Sequence, residues 1–119
     1  MKMLLSTLLV LIALLHVVFM LLEMRLWTHS AGRKIFKTSV EFAASTKALA
    51  ANQGLYNGFL AAGLMWSAYS EQTSLQLFFL GCVFIAGVFG AISVSRMIFW
   101  VQAFPAMLAL ILLSLNGWT

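Results

Sequence analysis

Apolar residues in this chain do not alternate with polar ones; they gather into four long blocks separated by polar breaks. The blocks cover about residues 4–26, 49–68, 75–94 and 98–116. About 20 apolar residues in a helix cross the ~30 Å hydrocarbon layer of a bilayer, so each block predicts one span. Backbone groups in lipid must bond within their own segment, which makes each span helical. The breaks at "SAYSEQTS" (67–74) and around Ser93, Ser95 and Arg96 are short, so the helices they join are antiparallel neighbours. Only the first connection, 27–48, is long. The predicted fold is all-α: a polytopic integral membrane protein, a four-transmembrane-helix bundle forming one domain over residues 1–119.

Composition strengthens this picture. Of 119 residues, 63% are hydrophobic and only 8% charged, with a mean hydropathy of +1.02. A water-soluble domain carries about 25% charged residues, and ten such side chains cannot cover a core of this size. The first block runs on to Trp27 with no small-residue cleavage pattern, so it is expected to be an uncleaved span rather than a signal peptide. The lone Cys82 excludes an intrachain disulfide. The pI of about 9.7 does not point to nucleic acid, because no basic face with interleaved aromatics is present.

Charge sets the expected orientation. Arg25, Arg33, Lys34, Lys37 and Lys47 fall around the first connection and Arg96 between spans three and four, leaving only Lys2 on the other side, with Glu71. Basic residues are retained in the cytoplasm, so both termini are placed outside and the basic loop 27–48 inside, where it meets anionic membrane lipids. Within that loop, "TSVE" (38–41) reads as a capping box with Thr38 as the cap and Glu41 reaching back. The helix of span two is expected to extend back toward it. Trp27, Trp66, Tyr69 and Trp118 sit at span ends, where interfacial aromatics belong, and Trp100 fits the same description.

The stretch "ANQGLYNGFLAAGL" (51–64) departs from a plain span. Gly54, Gly58 and Ala62 make a ridge of small residues at four-residue spacing, as do Cys82, Ala86 and Gly90. Such ridges bring membrane helices close, and these two are expected to pack together; alternatively, a glycine opens space for a ligand. Asn52, Gln53, Tyr56 and Asn57 lie in the same stretch. An unpaired polar group in hydrocarbon costs roughly 2 to 7 kcal/mol, so these side chains need partners. His16 and Glu23 share one stripe of span one. By depth, Asn52 and Gln53 are level with Glu23, Asn57 approaches His16, and Gln102 and Arg96 start span four on the same side. This predicts a cytoplasm-facing polar pocket among spans one, two and four. Glu23 and His16 are its acid–base candidates. Asn52, Gln53, Tyr56, Asn57, Gln102, Trp27 and Arg96 are its ligand-contacting candidates. An intramembrane carboxylate is a functional candidate by default, although a salt bridge from Glu23 to Arg25 or Arg96 is open, as is a neutral buried role for His16. His16, Glu23 and His29 lack metal-ligand spacing, and no cofactor motif is present, so neither a metal nor a cofactor is expected.

"HVVFMLLEMRLW" (16–27), "NQGLYNGFLAAGL" (52–64), "VFIAGVFGA" (83–91) and "VQAFPAMLAL" (101–110) together resemble the domain-of-unknown-function family thirteen-oh-four. The resemblance covers nearly the whole chain. It implies a small four-span bacterial protein of the plasma (inner) membrane and carries no established activity. A weaker, architectural likeness is to the membrane-associated eicosanoid and glutathione metabolism proteins, and it implies a homotrimer. Their second helix carries Arg, Asn and Glu in order; here Asn52 has Ala48 four residues before it and Leu55 three after. The expected function is binding of a small polar or amphiphilic ligand, with or without catalysis. The alternatives are a small oligomeric transporter and a structural or accessory membrane subunit.

Overall fold

A computed structural model describes residues 1–117; Trp118, assigned above to an aromatic belt, lies outside the described residues. The chain is all-helical. Helix α1 covers Lys2–Met24, α2 Ser30–Phe36, α3 Val40–Ser45, α4 Lys47–Ser70 and α5 Thr73–Ser93. A π-helical stretch, Phe99–Ala103, then runs directly into α6, Phe104–Leu115. Among the described residues, two helices, Lys2–Met24 and Thr73–Ser93, are long and apolar enough to cross a membrane, and Phe99–Leu115 forms a shorter apolar helix. Helix α4 has the length, at 24 residues, but Asn52, Gln53 and Asn57 dilute its apolarity.

The described residues divide into two compact units, 14–61 and 1–13 with 62–119. In the first, the expected loop is two short helices. Helix α2 ends at Lys37 in the left-handed conformation (φ 55°), which lets the Thr38 N–H reach Arg33 O at 3.0 Å. Helix α3 is capped by Ser39, whose Oγ accepts from the Phe42 N–H at 3.1 Å. This corrects the expectation for Thr38: both residues carry a hydroxyl, and the cap falls on the one three residues before the free N–H. The run into α4 is interrupted once, at Thr46, whose hydroxyl donates to Phe42 O at 2.7 Å. The same hydroxyl accepts from Trp27 Nε1 at 3.0 Å, and the Trp27 ring lies 4.9 Å from that of Phe36. Gly32 makes the docking of α2 possible: a Cβ there would sit 2.0 Å from Leu26 O.

In the second unit, Glu71 (φ 53°) turns the chain between α4 and α5. Gln76, buried in the first turns of α5, donates from Nε2 to Ser67 O at 3.2 Å and ties the two helices together. Gly63 lies flat against the Phe79 ring, 2.1 Å from where its Cβ would be. Helix α5 packs along the π-helical stretch and α6. Contact is closest at Gly87, where a Cβ would stand 2.5 Å from the Ala103 backbone nitrogen. The wide turn at 99–103 precedes Pro105, which has no N–H to give to residue 101. A π-turn there re-spaces the helix around that gap.

The small residues correct one expectation. Gly54 and Gly58 face α1 instead of α5: added Cβ atoms would meet Met24 Cγ at 2.6 Å and Met20 Sδ at 2.8 Å. Gly90 faces Ile98. A small-xxx-small ridge states that a backbone approaches closely, and it leaves the partner open.

The core is apolar, with Leu9, Leu64, Leu80 and Val83 fully buried, but polar residues join it and large apolar ones line the surface. His16, Asn57, Ser67 and Gln76 are buried, whereas Leu11, Val18, Phe78, Ile85, Phe89 and Ile92 are exposed.

Candidate functional site

Within residues 14–61, the C-terminal half of α1 meets the N-terminal half of α4. Gly54 creates the approach: its missing side chain would lie 3.1 Å from Glu23 Cβ and 3.1 Å from Met20 O. One turn further along α4, Asn57 faces the same way, because positions 54, 57, 58 and 61 share a helix face. Asn57 Nδ2 donates to Glu23 Oε1 at 2.6 Å, a bond between residues 34 apart in sequence. Asn57 is buried and Glu23 half-buried. The sequence offered Arg25 or Arg96 as salt-bridge partners of Glu23; the partner it takes here is an amide. A carboxylate offers about four lone-pair sites, and Asn57 occupies one, leaving capacity for a ligand donor.

His16 lies seven residues before Glu23, on the same stripe of α1, and is completely buried. Its ring meets Phe19 edge-on at 5.5 Å. Two helical turns separate the two groups along the axis, roughly 10.5 Å at 1.5 Å per residue. The depth argument set Asn57 near His16 and Asn52 and Gln53 near Glu23. The hydrogen bond instead joins Asn57 to Glu23, a shift of about one turn.

Among the described residues, the other candidates make no hydrogen bond to this pair. Asn52, Gln53 and Tyr56 are exposed on the remaining faces of α4, with Tyr56 edge-on to Phe59 at 5.8 Å. The Trp27 indole N–H is committed to Thr46. Gln102 is half-buried in the π-helical stretch, and Arg96 is exposed in the turn before it. Both belong to the other unit.

Sequence reasoning missed two features. Met20 and Met24 form the apolar wall beside Glu23, a consequence of the Gly54 and Gly58 contacts. The second unit also holds a polar cavity of about 110 Å³, lined by Lys2, Ser6, Glu71, Thr73, Gln76 and Asn116 among others. Asn116 Nδ2 is buried there without a hydrogen-bond partner. The available signal was Gln76, one amide inside an otherwise apolar helix. A wider apolar groove of about 410 Å³ runs between Leu4–Leu11 of α1 and Leu108–Leu112 of α6.

A family model described as "Protein of unknown function (DUF1304)" matches residues 10–114, a range that contains every candidate residue named for the Glu23 site. No curated protein and no solved structure matches the chain.

Proposed function

The chain belongs to this family of proteins of unknown function, and we propose that it is a four-span plasma-membrane protein that binds a small polar or amphiphilic ligand at Glu23 and Asn57. The observation that carries the reading is the 2.6 Å bond between them. A carboxylate and an amide held together beside Met20 and Met24 form a polar centre in apolar surroundings. Withdrawing such groups from water is costly unless they are paired, and in a membrane helix an ionisable side chain marks a ligand or ion path by default.

The exposed apolar surface supports the membrane setting. Exposed Leu, Ile and Phe along α1 and α5 suit lipid tails and not water. Spans two and four of this reading are α4 and the π-helical stretch with α6. Both termini lie outside, by the distribution of basic residues. Glu23 is the acid–base group, with His16 as a second. Asn57 orients the ligand, and Asn52, Gln53, Tyr56, Gln102, Trp27 and Arg96 are the wider set from which further contacts come. Assembly into a homo-oligomer, a trimer by architectural analogy, belongs to the same proposal.

The test is ligand-induced thermal stabilisation. Amphiphiles and small polar metabolites are screened against the wild type, and each hit is repeated on Glu23→Gln and Asn57→Ala. Hits lost in both variants support the site. Hits that stabilise all three proteins equally place binding elsewhere. A second reading, a small transporter, is favoured by one observation: Lys2 and Ser6, at the opposite end of α1 from Glu23, line a polar cavity. Transport requires polar groups at both ends of a path. A structural or accessory role predicts no ligand response from either variant or from the wild type.

A further inference from the structure

We propose that α2 and α3 form an interfacial foot that docks on an anionic lipid leaflet, with Ile35 and Phe42 entering the headgroup boundary and Arg33, Lys34 and Lys37 contacting lipid phosphates. The inference rests on the membrane-spanning reading above and adds a lipid class and a contact surface to it.

Three observations meet here. The first is position. Gly32 seats α2 directly on the Leu26–Trp27 backbone, and Phe36 stacks on Trp27 at 4.9 Å. Trp27 lies three residues past the end of α1, a helix apolar enough to cross a membrane. The foot is therefore packed at the end of that helix. The second is exposure. Ile35 is 59% exposed and Phe42 52%. A connection bathed in water gains nothing by presenting large apolar side chains from two consecutive short helices. The third is charge. Arg33, Lys34 and Lys37 are interleaved with those apolar residues, and Glu41 is the one acidic residue between Ser30 and Thr46. Basic and apolar residues together on a short helical segment are the composition of an interfacial anchor, and positive charge at the membrane surface selects anionic lipid. The left-handed turn at Lys37 ends α2 and lets the chain change direction into α3.

The test uses the full chain in lipid nanodiscs. A spin label is placed at Ile35→Cys, Phe42→Cys or Glu41→Cys with Cys82 replaced by Ala, and its accessibility to oxygen and to a water-soluble nickel chelate is compared. The expected result is oxygen-favoured accessibility at 35 and 42 and chelate-favoured accessibility at 41. In parallel, Arg33→Gln, Lys34→Gln and Lys37→Gln are combined, and phosphatidylglycerol retention is measured by native mass spectrometry. Each basic residue strengthens attachment to an anionic surface roughly fivefold, so the triple change should lower retention by about a hundredfold. The charge-preserving set Arg33→Lys, Lys34→Arg and Lys37→Arg should retain the lipid, separating charge from folding. Chelate-favoured labels at all three positions overturn the proposal. So do labels shielded from both reagents, which mean that a second copy of the chain covers the face. A chain that does not insert into nanodiscs at all refutes the membrane-spanning reading instead, so the two failures are distinct.

Discussion

Asn57 Nδ2 lies 2.6 Å from Glu23 Oε1, joining the middle of α4 to the last turn of α1. Removing either partner strands the other, at a cost of about 1 to 3 kcal/mol for a buried unsatisfied group. The single changes Glu23→Ala and Asn57→Ala should each lower the unfolding midpoint. Their combination should destabilise by less than the sum, with a coupling energy of about 1 kcal/mol, within the range found for hydrogen bonds between membrane helices. A thermal or denaturant double-mutant cycle measures it, and a coupling near zero contradicts the bond.

The glycines separate close packing from helix propensity. At Gly87 a methyl group would fall 2.5 Å from the Ala103 backbone nitrogen, whereas at Gly81 nothing lies within 4 Å. Gly87→Ala must push α5 away from the π-helical stretch and should destabilise by about 1 to 3 kcal/mol, the range for overpacking. Gly81→Ala meets open space and gains the helix preference of alanine, about 0.5 to 1 kcal/mol. Opposite shifts in unfolding midpoint are expected; equal tolerance would mean that the α5 contact is absent.

Glu71 holds the left-handed turn between α4 and α5 at φ 53°. A residue with a Cβ is strained there by roughly 1 to 2 kcal/mol, and glycine is not. Glu71→Gly relieves the strain but loosens the unfolded chain, so a net gain of about 0.5 to 1 kcal/mol is expected. A fall in the unfolding midpoint would show that the Glu71 carboxylate, which lines the polar cavity, contributes more than its backbone strain costs.

The long helices were legible in the sequence to within a few residues, whereas α2 and α3 fell in a stretch expected as a loop. Blocks at 4–26, 49–68 and 75–94 correspond to Lys2–Met24, Lys47–Ser70 and Thr73–Ser93, because long apolar runs without proline leave the backbone one solution. Glu23 and Asn57 also stood out by residue type. Their register did not: counting about 1.5 Å per residue from an assumed membrane boundary set Asn52 and Gln53 level with Glu23, whereas the residue that bonds it is Asn57, about one turn further along α4. The π-helical stretch was hidden for another reason. Pro105 announces a disturbed helix, but a proline does not by itself say whether the helix kinks or widens into a π-turn. The Ser39 cap shows the smallest scale of ambiguity, where adjacent hydroxyls at 38 and 39 both suit a cap.

In the four-span reading, the connection carrying Lys34 and the turn carrying Glu71 lie on opposite sides of the membrane. Arg25, Arg33, Lys34, Lys37 and Lys47 cluster around the first, and Glu71 stands in the second. Both positions are exposed, so a cysteine at either is reachable from its own side. With Cys82 replaced by Ala, a membrane-impermeant maleimide added to intact cells should modify Glu71→Cys and spare Lys34→Cys, and permeabilisation should make the second reactive. The result bears directly on the site, because Glu23 lies at the end of α1 nearest Lys34. If the pattern is reversed, the Glu23–Asn57 pair opens to the outside, and any ligand must be an extracellular or periplasmic one. If both cysteines react in intact cells, α4 does not cross the membrane between them, and the four-span arrangement is wrong while the helices themselves stand.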